Sequence, residues 1–188
     1  MAGSLRNICE KVKIDGEYYK INTDFKVWIE IERLLFDKSI DDEKRLAKVL
    51  VLAYPVLPPN PYATIEKIMW FYSGGVLDNE RPSGQKPPAF DILEDFDYIW
   101  AAFWSEFGID LSKEDLHWWK FRVLLGCLSD ECLFSKIVGY RTVDTSTIKN
   151  KEQKKFFERM KKQFRLKSEK IESLGDEEVS TRLAAVFD

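Results

Sequence analysis

The first periodic pattern in the chain is an alternation of apolar and polar residues typical of a β-hairpin. Val12-Lys13-Ile14 alternates, Asp15-Gly16 is a pair favoured in type I′ turns, and Glu17 to Ile21 forms a second short run. The pattern predicts a hairpin over about residues 11–21. Because an isolated hairpin is barely stable in water, we expect it to pack on the following helices or to pair with a strand of another chain.

Apolar residues at spacings of three and four predict amphipathic helices along the next part of the chain. Thr23 or Asn22 is expected to cap the first helix, whose inner face would present Val27 to Leu35. The other predicted helices begin at the acidic run Asp41-Asp42-Glu43 and end before Pro55, or begin at Asn60-Pro61 and end at Gly74-Gly75.

Three more helices are predicted in the aromatic-rich second half. Phe90–Phe107 has rings at steps of three and four and is followed by Gly108, a residue suited to a helix end. Ser112 to Asp115 resembles a capping box and precedes a segment that is apolar on nearly all sides, so we expect that helix to run through the centre of the domain. A short helix over Ser129–Val138 is expected to end at Gly139.

Together these elements predict a mainly α fold: one helical domain over residues 1–166 with a short N-terminal β-hairpin. Turn-forming residues predict an exposed loop at about 74–89, which leaves two domains as the alternative, although the aromatic segments on either side favour one shared core. Residues 167–188 are expected to form a polar tail with at most one weak helix. The first eleven residues lack the apolar run of a signal peptide, and no segment is long enough to span a membrane.

Charge is distributed unevenly in this chain of 188 residues, whose formal net charge is -3. Residues 149–170 contain ten Lys or Arg and three Glu, a local charge of +7, so the remainder sums to -10. Phenylalanines at helical spacing form one apolar stripe on this basic helix, which makes it the best candidate for binding a partner. The candidate partner-binding residues are Phe156, Phe157, Phe164, Lys154, Lys155 and Lys161.

Residues 91–115 carry eight acidic side chains and one lysine, Lys113, and so complement the basic helix in charge. Two interpretations stay open. The basic helix packs against this acidic segment within one chain, or the two pair between copies in a head-to-tail oligomer.

No constellation of residues points to catalysis. His117 is the single histidine, and Cys9, Cys127 and Cys132 lack the spacing of a zinc or redox motif. The glycines at 74 and 75 lack the Lys and Ser/Thr of a phosphate-binding loop. We therefore predict no catalytic residue, no metal and no cofactor, and interpret the chain as a non-enzyme.

The stretch Asp110-Leu111-Ser112-Lys113-Glu114-Asp115-Leu116-His117-Trp118-Trp119-Lys120-Phe121 resembles a bacteriophage family known by a gene-product number, fifteen. Further segments agree in the same order, and the resemblance extends from about Lys11 to Leu166. We expect the motif residues His117, Trp118, Trp119 and Phe121 to lie in the core, and favour the core also for Trp100 and Trp104. The other agreeing segments are Ile21–Phe25, Asp97–Phe103, Phe134–Arg141 and Lys149–Lys155.

The resemblance implies a tail-assembly protein encoded near the tape-measure gene of long-tailed phages, without catalytic residues. The implied role is a chaperone in the host cytoplasm that coats the long helical tape-measure protein and keeps it soluble while tail-tube subunits polymerise. Expected partners are the tape-measure protein, the tail-tube protein and further copies of this chain, with no membrane. A structural tail component retained in the virion is the alternative, and a nucleic-acid binder using the basic helix 150–167 is less favoured because buried phenylalanines cannot stack on bases.

Overall fold

The computed structural model describes residues 8–37, 39–75 and 90–166, which are mainly helical with a two-stranded antiparallel sheet at the N-terminal end. The predicted fold class is therefore confirmed. Residues 76–89 of the predicted loop lie outside the described residues, as does the predicted tail at 167–188. The described elements are β1 (Lys11–Ile14), β2 (Glu17–Lys20), α1 (Phe25–Phe36), α2 (Asp42–Ala53), α3 (Pro61–Tyr72), α4 (Phe96–Phe107), α5 (Trp118–Gly126), α6 (Leu133–Thr142) and α7 (Lys151–Gln163).

The described residues divide into two compact units. The first contains the residues up to 75 together with Asp115–Arg122, and the second contains 90–114 together with 123–166. The boundary falls within α5, because its first five residues belong to the first unit. A single domain over residues 1–166 stays a prediction.

The hairpin forms as the alternating pattern predicts. Val12 pairs with Tyr19 and Ile14 with Glu17, and the turn residues Asp15 and Gly16 have φ angles of 47° and 93°, the left-handed values that a type I′ turn requires. Val12 and Ile14 are buried, and β1 lies against α3. The hairpin therefore packs on the helices of its own unit, the first of the two expected arrangements.

Polar side chains set the starts of the helices in the first unit. The predicted cap of α1 at Thr23 or Asn22 is wrong, because the Asp24 carboxylate accepts the hydrogen bond from the backbone N–H of Lys26 at 2.9 Å. Asp41 caps α2, and Asn60 caps α3 with Pro61 at the first helical position, as predicted. The largest fully buried side chains among the described residues of this unit are Phe25, Trp28, Ile31, Leu34, Ile68, Phe71, Trp118 and Phe121, with Ile14 and Ile21 from the hairpin segment.

The start of α4 differs from the prediction by six residues. The Asp91 carboxylate accepts hydrogen bonds from the backbone N–H groups of Leu93 and Glu94, at 2.9 and 3.1 Å, and so holds the chain in turns before the helix. The helix begins at Phe96 and ends at Gly108, whose φ of 68° is the left-handed conformation expected at a helix end.

The predicted central helix from Ser112 is wrong. Asp110 accepts hydrogen bonds from the Ser112 backbone N–H and hydroxyl, which closes a local turn, and α5 begins only at Trp118. Two residues of α5 are buried, Trp118 and Phe121, whereas Val123 is exposed. The helix is therefore short and not central, because the turn at Asp110 and a strand-like contact of His117 with Asp24 occupy the preceding residues.

The predicted helix Ser129–Val138 lies four residues further along, as α6, and Gly139 lies inside it. The shift arises because Ser129 is held by Glu106, whose carboxylate accepts its backbone N–H at 3.0 Å and its hydroxyl at 2.6 Å. The basic helix forms as predicted: the Asn150 side chain caps α7 by accepting hydrogen bonds from two backbone N–H groups, at 2.9 and 3.0 Å.

Candidate protein-binding surfaces

The apolar stripe of α7 packs on one ring of α6, Tyr140. The ring centroids of Phe156, Phe157 and Phe164 lie 6.1, 6.2 and 6.0 Å from that of Tyr140. Phe157 and Phe164 are half-buried, whereas Phe156 is 40% exposed, and α7 contains no buried residue. The stripe is therefore only partly covered by its own unit and leaves an apolar surface at Phe156.

The carboxyl end of α7 is fixed by contacts with the backbone. The Arg141 guanidinium donates a hydrogen bond to the Phe164 carbonyl, and the Lys161 ammonium donates to the Val143 carbonyl at 3.0 Å. The Phe164 ring also lies edge-on to Tyr98 of α4. These contacts hold the phenylalanine stripe in place while the rest of α7 remains exposed.

The surface of α7 outside the stripe is basic. Lys155 and Lys161 are exposed and Lys154 is half-exposed. Residues 149–166 contain eight Lys or Arg and two Glu, and across the described part of the chain none of those eight cations forms an ion pair with a carboxylate. The structure thus places five of the six candidate partner-binding residues on α7 and the sixth, Phe164, directly after it, with Phe156 and the lysines accessible.

Two tryptophans of α4 form a second surface that the sequence pattern did not reveal. Trp100 and Trp104 are 40% and 56% exposed, so the expectation that they lie in the core is wrong. They lie one turn apart, offset from the buried stripe of Ile99, Ala102 and Phe103. The sequence did contain one indication of this surface: the two rings are four residues apart, on a side of the helix away from the buried stripe.

The indole of Trp100 is held in place by a carboxylate. Its Nε1–H donates to Asp110 at 2.9 Å, and Asp110 also accepts hydrogen bonds from Ser112 and an ion-pair contact from Lys113 at 3.1 Å. The Ser112 hydroxyl above all, together with Trp100 and Lys113, holds the pKa of Asp110 well below its ordinary value. The Asp110 carboxylate that holds Trp100 therefore stays ionised at neutral pH.

The tryptophan motif closes the carboxyl end of α3. The indole N–H of Trp118 donates to the Tyr72 carbonyl at 2.9 Å, that of Trp119 donates to the Phe71 carbonyl at 2.7 Å, and the Arg122 guanidinium also reaches the Tyr72 carbonyl. The last carbonyls of a helix have no partner within the helix, so these side chains act as its cap. A side chain at Gly75 would collide with the Trp119 ring, since its Cβ would lie 2.9 Å from that ring.

Both ring nitrogens of His117 are engaged by backbone groups. Nδ1 accepts from the Trp119 N–H at 3.0 Å, which leaves the proton on Nε2, and Nε2 donates to the Cys9 carbonyl at 2.9 Å. Burial, aided by the charge of Lys120, lowers the pKa of His117 and favours this neutral form. His117 and Trp119 are half-buried, whereas Trp118 and Phe121 are buried, with Phe121 stacked on Phe25 at a centroid distance of 4.9 Å.

Clusters of metal-ligating side chains and membrane-spanning helices are both absent from the residues that the structure describes. No group of three His, Cys, Asp or Glu side chains in residues 8–37, 39–75 and 90–166 is arranged to hold a metal ion. None of the helices that the structure describes has the length and apolar character needed to cross a membrane.

Exposed aromatic rings beside unpaired charges are typical of proteins that act through contacts with other proteins. A family model described as Bacteriophage Gp15 protein matches residues 6–166. The chain therefore belongs to the bacteriophage Gp15 protein family, a family of phage structural or morphogenesis proteins that is not known as enzymatic. No curated protein and no solved structure matches the chain.

Proposed function

We propose that this protein is a phage tail-assembly chaperone that acts in the host cytoplasm. It binds the tape-measure protein and keeps it soluble while tail-tube subunits polymerise. The observation that supports this role is the half-covered stripe of α7, where Phe156 is exposed and the lysines of the helix have no carboxylate partner among the residues that the structure describes.

The chemistry of α7 selects a helical client. A helix from the tape-measure protein presents an apolar stripe, and seating it beside Phe156 buries the part of that ring that α6 leaves in water. Arg159, whose guanidinium lies 5.7 Å from the centre of that ring, and Lys155, the residue before Phe156, attract carboxylates at the edge of the client's stripe. The preferred client segment is therefore an amphipathic helix with acidic residues beside its apolar face.

Co-expression with the tape-measure protein tests the proposal. The full chain should raise the soluble yield of the tape-measure protein and co-purify with it. Phe156→Ser combined with Lys155→Glu should reduce both effects, whereas the control Val51→Ser, at an exposed position on α2, should leave them intact. Unchanged solubility together with absence of co-purification would rule the chaperone role out.

A structural tail component remains the second candidate, because the exposed strand β2 presents Tyr18 and, within the described residues, pairs with β1 along one edge only, which leaves the other for pairing between subunits. Mass spectrometry of purified virions separates the two roles. A chaperone is absent from the mature particle, whereas a structural component is present at a fixed copy number.

A further inference from the structure

We propose that copies of this chain associate head to tail, with α4 of one copy covering α7 of the next. The contact on α4 is its tryptophan face, defined here as Asp97, Trp100, Ala101 and Trp104, all exposed. The contact on α7 is its basic face, defined here as Lys151, Lys155, Arg159 and Lys162, also exposed. The inference concerns the protein alone and does not depend on the chaperone role; because Phe156 and Lys155 serve both contacts, a second copy and a client helix occupy this part of α7 in turn.

The tryptophan face lies in a segment without positive charge. Residues 90–112 contain six carboxylates and no Lys or Arg. Two of the six are paired within the second unit: Asp95 with Arg141, and Asp110 with Lys113, which directly follows the segment. Two exposed indoles in an acidic surrounding bind cations well, because the ring faces and the carboxylates both attract positive charge. Such a face is suited to a helix that presents Lys and Arg beside an apolar group.

Helix α7 has that composition. It contains six Lys or Arg and two Glu within Lys151–Gln163. Phe156 supplies the apolar group, and the Arg159 guanidinium lies 5.7 Å from the centre of its ring. At 1.5 Å per residue, the 13 residues of α7 and the 12 of α4 give helices of about 20 and 18 Å, which can pair along their whole lengths.

The partner is a second copy because the structure shows no ion pair between the two faces among the described residues. Both helices belong to the second unit, yet within the described residues no ion pair joins α7 to residues 90–112. Instead, the acidic segment is joined to the last third of the chain by the ion pair between Asp95 and Arg141 of α6. The sequence allows the basic helix to pair with the acidic segment either within one chain or between copies. The cations of α7, which have no carboxylate partner among the described residues, favour pairing between copies.

A head-to-tail contact joins two different surfaces, so each copy in an assembly has one face of each kind. This gives a complementation test. Trp100→Ser with Trp104→Ser removes the tryptophan face and keeps α7. Lys151→Glu, Lys155→Glu and Lys162→Glu remove the basic face and keep α4.

Sedimentation velocity of the full chain measures the association. Wild type should form species larger than a dimer, and its association should weaken at least about tenfold between about 50 and 500 mM salt. Each variant alone should be monomeric, and a mixture of the two should form a 1:1 dimer and nothing larger. Circular dichroism of each variant confirms that it is folded, and Val51→Ser should assemble as wild type does.

Two results would overturn the inference. One is a wild-type chain that is monomeric at low salt and about 100 µM, a concentration far above the Kd of a specific interface. The other is a pair of folded variants whose mixture gives no heterodimer. Loss of tape-measure solubility in the variants, with a monomeric wild type, would place these faces in client binding and leave the chaperone role standing.

Discussion

The Arg141 guanidinium forms two hydrogen bonds with the Asp95 carboxylate, at 2.6 and 2.8 Å. The two side chains are only 10% and 1% exposed, so this is a buried ion pair that joins α6 to the residue immediately before α4. A buried charge is tolerated when its partner is present, and it is very unfavourable when that partner is removed.

Removing one partner of this ion pair should lower the free energy of unfolding far more than replacing both partners together. Asp95→Asn or Arg141→Met alone should lower the free energy of unfolding by about 3–5 kcal/mol, because each leaves one buried charge or its donors without a partner. The double variant should be more stable than the sum of the two losses indicates. Urea unfolding followed by circular dichroism measures all four chains, and strictly additive losses would contradict the ion-pair account.

Stability should fall as the pH is lowered through the range of His117. Burial lowers its pKa in the folded chain, helped by Lys120 and opposed by Glu10 and the Cys9 carbonyl, so protons bind the unfolded chain more readily. The contribution of neutral His117 to the free energy of unfolding is complete above the pKa of about 6.5 that histidine has in the unfolded chain. It is lost as the pH falls below that value.

His117→Asn is the matched control for this pH effect. Its side-chain oxygen can accept the Trp119 N–H but does not titrate, so the fall in stability between about pH 7 and 5.5 should largely disappear. The loss of the hydrogen bond to the Cys9 carbonyl should lower stability by about 1 kcal/mol at pH 7. An unchanged pH slope in this variant would exclude His117 as its source.

Removing the indole caps of α3 should destabilise the first unit while preserving its ring packing. Trp118→Phe and Trp119→Phe keep an aromatic ring but lose the N–H donated to an α3 carbonyl, and each should cost about 1–2 kcal/mol. Trp104→Phe, at an exposed site on α4, should change stability by less than about 0.5 kcal/mol. Thermal unfolding compares the three, and equal effects would refute the capping role.

The cysteines should differ in reactivity. Burial raises the pKa of the Cys9 thiol, whereas Cys127 is exposed, and only the thiolate is strongly nucleophilic. Iodoacetamide at pH 8 should therefore alkylate Cys127 several-fold faster than Cys9. Peptide mass spectrometry over a time course measures both rates in one sample, and urea should abolish the difference.

Elements with strong local signals were predictable from the sequence. Asp15-Gly16 fixes the hairpin turn, Asn60-Pro61 starts α3, and Asn150 starts α7, because each acts on backbone groups within a few residues. The starts of α4 and α5 were not predictable, since carboxylates at Asp91 and Asp110 compete locally for the backbone N–H groups.

The candidate surfaces were predictable only in part. The stripe and charge of α7 follow from spacing and composition. The exposure of Trp100 and Trp104 does not, because hydrophobicity alone assigns a tryptophan to the core. The contact of His117 with the Cys9 carbonyl spans 108 residues and has no local signature.

The cap of α3 also has a consequence for the order of events on the ribosome. The Phe71 carbonyl accepts a local hydrogen bond from the Gly74 N–H, and the side chains that cap Phe71 and Tyr72 come from residues 46–50 positions later in the chain. Helix α4 lies between them in sequence but belongs to the second unit. The N-terminal unit therefore cannot finish folding until residue 122 has left the exit tunnel. Its first residues are synthesised early, but they must wait for this later segment.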